Sequence, residues 1–260
     1  AATLKREGSS GHQSVARAYY AQAATAVPGV GWLRDLSGPA AETDAAEEIG
    51  KSAAPLMARL ERVLDDLGTM HDQKFAEFEK AILEGLAASA SDPFENGHKM
   101  LGTLLGFEAD NENSQGAPDP WWFVDDNLCF VFEDHSDAQP DGKLSIKKAR
   151  QVASHPNWIR DRFKLSPEAR VIPVLVTSQG AAEEEAAVHL KEVAVWHIDQ
   201  FREWAVRAVQ TVRQLRVSYP GAGDIFWRQE AMEAYATAGI DPDSMLAHLK
   251  PLGGSAIFRR

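Results

Sequence analysis

The sequence predicts an α/β protein: a mixed central β-sheet flanked by helices, with an N-terminal helical region and a short helical C-terminal extension. Three observations predict it. Residues 121–124 and 128–132 are aromatic and aliphatic runs parted by Asp125-Asp126-Asn127, residues that tolerate turn dihedrals, so the stretch reads as a β-hairpin. Residues 171–177, Val-Ile-Pro-Val-Leu-Val-Thr, form the near-continuous apolar run of a strand buried on both faces. Around both, apolar residues recur at three- and four-residue spacing, which marks helices packed on a sheet.

In chain order, residues 1–10 read as a loose start and residues 13–26 as a helix, broken at Pro28-Gly29-Val30-Gly31. Trp32, Leu33 and Leu36 make a small apolar cluster before a second break at Gly38-Pro39. From Ala40 the pattern is long and helical. Leu56, Leu60, Val63, Leu64 and Leu67 share one face, and after Gly68 so do Phe75, Phe78, Ile82, Leu83 and Leu86; these are two amphipathic helices with acidic outer faces. Residues 94–105 form a helix stopped by Gly106, and residues 108–115 a polar loop. After the hairpin, residues 145–153 are helical with Ser145 as the cap. Pro173 argues against a central place for its strand unless a bulge accommodates it. Residues 181–190 read as helix and 193–198 as strand, and Asp199 caps a long helix to Arg216. The last stretch carries two short helices and is too small for a core of its own. The expected organisation is residues 1–90 as a helical region, 91–218 as the α/β core and 219–260 as a helical appendage.

The chain has 260 residues, 44% hydrophobic and 25% charged, an ordinary globular composition. No apolar run is long enough to span a bilayer, and no charged-then-apolar segment opens the sequence, so a cytoplasmic protein without membrane contact is expected. One cysteine, Cys129, excludes an intramolecular disulfide and a cysteine-rich zinc site. The sequence holds no Gly-x-x-x-x-Gly-Lys-Ser/Thr loop, no Gly-x-Ser-x-Gly elbow and no His-Glu-x-x-His, which leaves P-loop ATPases, hydrolase triads and zincins without support. A net charge of −11 is unfavourable for phosphate binding unless the charge is segregated. It is: Lys143, Lys147, Lys148, Arg150, Arg160, Arg162, Lys164 and Arg170 fall in one stretch, with Asp161 and Glu168 against them. That stripe reads either as a phosphodiester-binding surface or as a solvated helix face.

Strand alternation puts Asp119 on a side with Trp121 and Phe123, and Glu133 on a side with Cys129, Val131 and His135. If the hairpin pairs in register, Asp119 and Glu133 converge, an arrangement that suits a hard divalent cation held by one or two carboxylates and waters.

Here the chain resembles the PD-(D/E)xK, or restriction-endonuclease-like, nuclease superfamily. Pro118-Asp119 stands where that superfamily has its Pro-Asp, and Glu133-Asp134-His135 where it has Glu-x-Lys, with His135 in place of the lysine. The preceding helix supplies Glu95, and the following one, Ile146-Lys147-Lys148-Ala149-Arg150-Gln151 with His155 and Trp158 beyond, resembles the helix where some members place a glutamine near the metal. The resemblance covers roughly residues 92–216. It implies a restriction-endonuclease-like core and magnesium- or manganese-dependent hydrolysis of DNA. Asp119, Glu133 and Glu95 would be metal ligands; His135, Lys147 and Gln151 would take part in catalysis, with Lys147 or Lys148 replacing the absent lysine. Lys143, Lys147, Lys148 and Arg150 would contact DNA. The resemblance further implies a place in a bacterial restriction or phage-defence protein, in a larger defence or helicase assembly. Two alternatives stand beside it: a nuclease fold that has lost catalysis and binds nucleic acid or a partner protein, and a docking role for the acidic helices.

Overall fold

The computed structural model describes residues 10–26, 50–69, 72–112, 114 and 116–258. Residues 1–9 of the expected loose start, the Trp32, Leu33 and Leu36 cluster and both of the breaks around it lie outside the described residues.

A five-stranded mixed sheet has its strands side by side in sequence order. Strands β1 (Glu108–Asp110), β2 (Trp121–Asp125) and β3 (Leu128–His135) run antiparallel, while β4 (Arg170–Thr177) and β5 (Ala194–His197) continue parallel from β3. The helices are α1 (Ser10–Ala26), α2 (Ala54–Leu67), α3 (Gln73–Ala87), α4 (Ser91–Leu104), α5 (Ile146–Phe163), α6 (Ile198–Ser218), α7 (Ile225–Ala238) and α8 (Pro242–His248). A parallel pair needs a crossover, and α5 is the crossover between β3 and β4.

The hairpin turn is held by Asp125, whose Oδ1 accepts from the backbone N–H of Asn127 at 2.8 Å and of Leu128 at 3.1 Å. An Asp two residues ahead of a reversal offers the backbone this alternative partner. The pairing slips between Phe123 and Asp125, and before that point Trp121 lies opposite Val131. Because side chains alternate, Phe130 and Phe132 enter the main core while Cys129 and Val131 face Ile159 of α5. Strand β3 is therefore apolar on both faces, as the middle of a covered sheet requires.

The main core is one continuous cluster. It takes Leu56, Leu60 and Leu64 from α2, Ile82 and Leu86 from α3, Trp122 and Phe132 from the sheet, and Trp227 and Tyr235 from α7. Residues from all three expected segments thus share it. Each fully buried leucine or phenylalanine of this kind stabilises the fold by roughly 1.5–3 kcal/mol. Helices α3 and α4 approach closely at two glycines: a Cβ on Gly85 would stand 2.9 Å from the Gly97 Cα.

Four local expectations need correction. Residues 108–110 are not loop but an edge strand paired to β2, and with Ala109 alone turned to the core between two acidic residues the stretch is too short for an alternation to be read. Helix α5 does not end at residue 153; it runs to Phe163 through Pro156, because Val152, His155 and Ile159 form one buried stripe whose packing outweighs the missing N–H. Strand β4 is internal despite Pro173, without a bulge: β5 pairs only with Val174–Thr177, leaving the first half of β4 an open edge where a proline is tolerated. The N-cap of the long helix is His197, whose side chain accepts from the Asp199 N–H, rather than Asp199 itself. The 181–190 stretch contains a 3-10 helix over Glu184–His189.

Candidate active site

The C-terminal end of β3 meets the first turns of α4 and α5. Between them lies a cleft of about 300 Å³. Glu95 reaches it from α4, Asp119 from the approach to β2, His135 from β3, and Lys147, Lys148 and Gln151 from α5, with Ser91, Asp137, Ser145 and the main chain of Asp134 at its margins. Ser145 accepts from the Lys148 N–H at 3.3 Å, which starts α5 where its first turn projects into the cleft. The three- and four-residue spacing of Lys147, Lys148 and Gln151 then keeps all three on that side.

Beneath the cleft floor, Glu133 is fully buried and faces α5. Its Oε1 accepts from the Lys148 ammonium and its Oε2 from His155 Nε2 at 2.5 Å. Burial alone would raise the Glu133 carboxyl, but the His155 hydrogen bond and the Lys148 charge outweigh it, and the group lies below its ordinary pKa. On the opposite face of the strand, Asp134 turns to His98 of α4, whose Nδ1 lies 2.9 Å and 3.0 Å from the two carboxylate oxygens. Burial acts against both charges there: it holds His98 well below the ordinary imidazole value and, with Glu133 adding repulsion, Asp134 well above the carboxylate range.

The two carboxyls open to the cleft are raised above their ordinary values, by burial first and by neighbouring carboxylates after it. Desolvation, then Glu133, Glu95 and Asp134, push Asp119 up to about 8, against which Lys148 acts weakly. Glu95 is raised by burial and by Asp134, Asp92 and Glu133. His135 goes the other way, lowered by burial and by the Lys148 charge.

Of the residues singled out in the sequence, Glu95, Asp119, His135, Lys147, Lys148 and Gln151 are brought to one cleft, and Glu133 lies under it with both oxygens engaged. Lys143 is exposed on the loop before α5 and is not part of the cleft wall. Arg150 points to the other flank of the helix, where its Nε donates to His189 Nε2 at 3.2 Å. Sequence reasoning missed the His98–Asp134 pair. The one available signal was that Glu95 and His98 are three residues apart, hence on one helix flank.

The donor set bears on a metal. Among the described residues no group of three or more His, Cys, Asp or Glu side chains is arranged to hold a metal ion. Magnesium, however, takes one or two carboxylates and keeps its waters, and Asp119 with Glu95 offers that much. Burial first, and then nearby carboxylates, raise both groups; a divalent cation would supply the opposite charge that burial withholds, so the two carboxylates fit such an ion.

No family model, no curated protein and no solved structure matches this chain. Among the described residues no helix is long and apolar enough to cross a membrane.

Proposed function

We propose that this chain is a metal-dependent nuclease that hydrolyses phosphodiester bonds in DNA, on a restriction-endonuclease-like core of the PD-(D/E)xK type whose lysine comes from α5 instead of β3. The observation that carries the reading is Lys148: its ammonium meets Glu133 from the helix at the wall of the cleft that also holds Asp119. The order of elements, a helix with Glu95, an antiparallel hairpin, a crossover helix and a parallel strand, supports it further. A place in a larger restriction or phage-defence assembly belongs to the same proposal and rests on the resemblance.

Asp119 and Glu95 would hold magnesium or manganese, which when bound supplies positive charge to a phosphoryl oxygen and lowers the pKa of water. The chain's own groups have separate tasks. Lys148 keeps an ammonium beside the cleft, where it offsets negative charge growing on the phosphate. His135, held neutral by burial and by Lys148, has a lone pair with which to accept a proton from the attacking water. Lys147 and Gln151 position the substrate from the first turns of α5.

Incubation with magnesium or manganese on single- and double-stranded DNA tests the proposal. Cleavage is expected that stops with EDTA and is lost in Asp119→Asn and Lys148→Met. Intact DNA of both kinds with both metals would sink the nuclease reading. A second reading, a nuclease fold that has lost catalysis and binds nucleic acid or a partner protein, is favoured by one observation: both Glu133 oxygens are already engaged, by Lys148 and by His155. DNA binding without cleavage would select it.

A further inference from the structure

We infer that Glu133, with His155 behind it, is a positioning residue that fixes the Lys148 ammonium, and that it is not a cation ligand. Three observations converge on this. Glu133 and His155 are each fully buried, and Glu133 is absent from the cleft wall to which Asp119, Glu95 and Lys148 contribute. Both Glu133 oxygens are used, Oε1 by Lys148 and Oε2 by His155. Lys148 and His155 are seven residues apart on α5, two turns along one flank, so a single helix grips one carboxylate at both ends.

The chemistry follows from the desolvation of that carboxylate. A buried anion is costly unless paired and hydrogen-bonded, and here the helix supplies one cation and one N–H donor. Withdrawing Lys148 to another place would leave the fully buried Glu133 carboxylate underpaired, with His155 as its remaining partner. The lysine is therefore confined, and its long, otherwise mobile stem presents an ammonium at a fixed point of the cleft. His155 acts through Glu133: its hydrogen bond removes the freedom of the carboxylate to rotate away from Lys148. For its kinetic consequence alone, the inference rests on the proposed cleavage.

The test uses readouts that do not depend on cleavage. In nitrogen-15 spectra of the full chain, the Lys148 ammonium, assigned by its loss in Lys148→Arg, is expected as a resolved, slowly exchanging signal. That signal should vanish in Glu133→Gln and His155→Phe and persist in part in His155→Gln, which keeps a donor. Calorimetric titration with Mn2+ alone should give unchanged affinity in Glu133→Gln and weakened affinity in Asp119→Asn. With DNA, Glu133→Gln and His155→Phe should lower kcat about 100-fold at unchanged KM. An ammonium signal that survives in both Glu133→Gln and His155→Phe overturns the inference, and so does a loss of Mn2+ affinity in Glu133→Gln equal to that in Asp119→Asn. A wild-type chain that shows the expected ammonium behaviour but cuts no DNA upholds the inference while removing the nuclease reading.

Discussion

His98 and Asp134 form a sealed pair across the α4–β3 interface: one imidazole nitrogen contacts both carboxylate oxygens, and neither side chain has any exposed surface. The imidazole is surrounded by the rings of Phe94, Trp122, Phe132 and Phe201, and its Nε2 has no hydrogen-bond partner. Removing one member strands the other in apolar surroundings. His98→Leu and Asp134→Leu should each cost about 2 kcal/mol, and the double variant should cost less than the two together. Urea unfolding of the four proteins measures the cycle, and strict additivity would mean the pair does not interact.

Asp119 should reduce stability as the price of its position. Its folded pKa of about 8 lies above the ordinary carboxylate value, so between roughly pH 4 and pH 8 the folded chain binds a proton that the unfolded chain has released. Stability attached to this group is complete below the unfolded pKa and is lost as pH rises through the folded one. Asp119→Asn should accordingly raise the Tm relative to the parent, by more at pH 8 than at pH 5. A gain that is the same at both pH values would show that burial and the neighbouring carboxylates do not raise Asp119 in the folded chain.

Gly102 leaves room for an indole. A Cβ there would stand 2.3 Å from Trp122 Nε1 and 2.6 Å from its Cδ1, and Trp122 is fully buried, with Phe107, Phe132 and His98 around it. Since the ring has nowhere to move, Gly102→Ala should destabilise by about 1–3 kcal/mol through overpacking and alter the near-ultraviolet circular dichroism of the tryptophans. An unshifted urea midpoint would mean that α4 can slide outward at no cost.

What could be read in the sequence, and what could not, divides by the range of the interaction. The hairpin was legible because Asp125-Asp126-Asn127 interrupts two apolar runs, and α2 and α3 because Leu56, Leu60 and Leu64, then Phe75 and Ile82, repeat at helical spacing. Strand β1 was not, since it is three residues long and Ala109 is its one core-facing side chain, too little to show a period of two. The second half of α5 was hidden by Pro156, although His155 and Ile159 complete the stripe begun by Val152. In the cleft, Asp119, Glu95 and Gln151 were singled out on motif order. The pairs beneath the cleft join residues far apart in the chain: His98 is 36 residues from Asp134, and His155 is 22 from Glu133. No local pattern encodes such pairings, because they exist only once α4 and α5 are docked on opposite faces of β3.

The basic residues of α5 should differ sharply in their effect on DNA. Lys147 and Arg150 are both exposed and lie within one turn, so by charge alone they would be equivalent. Their directions are not: Lys147 borders the cleft, while Arg150 donates to His189 at the end of the 3-10 helix on the far flank. A phosphate held against the cleft can release a counterion through Lys147 and none through Arg150. Lys147→Ala should therefore weaken DNA binding and lower the slope of log affinity against log salt by about one, whereas Arg150→Ala should leave both unchanged. Lys143, exposed on the loop that leads into α5, should fall between them. Fluorescence anisotropy with labelled DNA at several salt concentrations gives affinity and slope together. Equal losses for Lys147→Ala and Arg150→Ala would make the contact surface a general basic face of α5, and would remove the link between DNA binding and the carboxylate cleft.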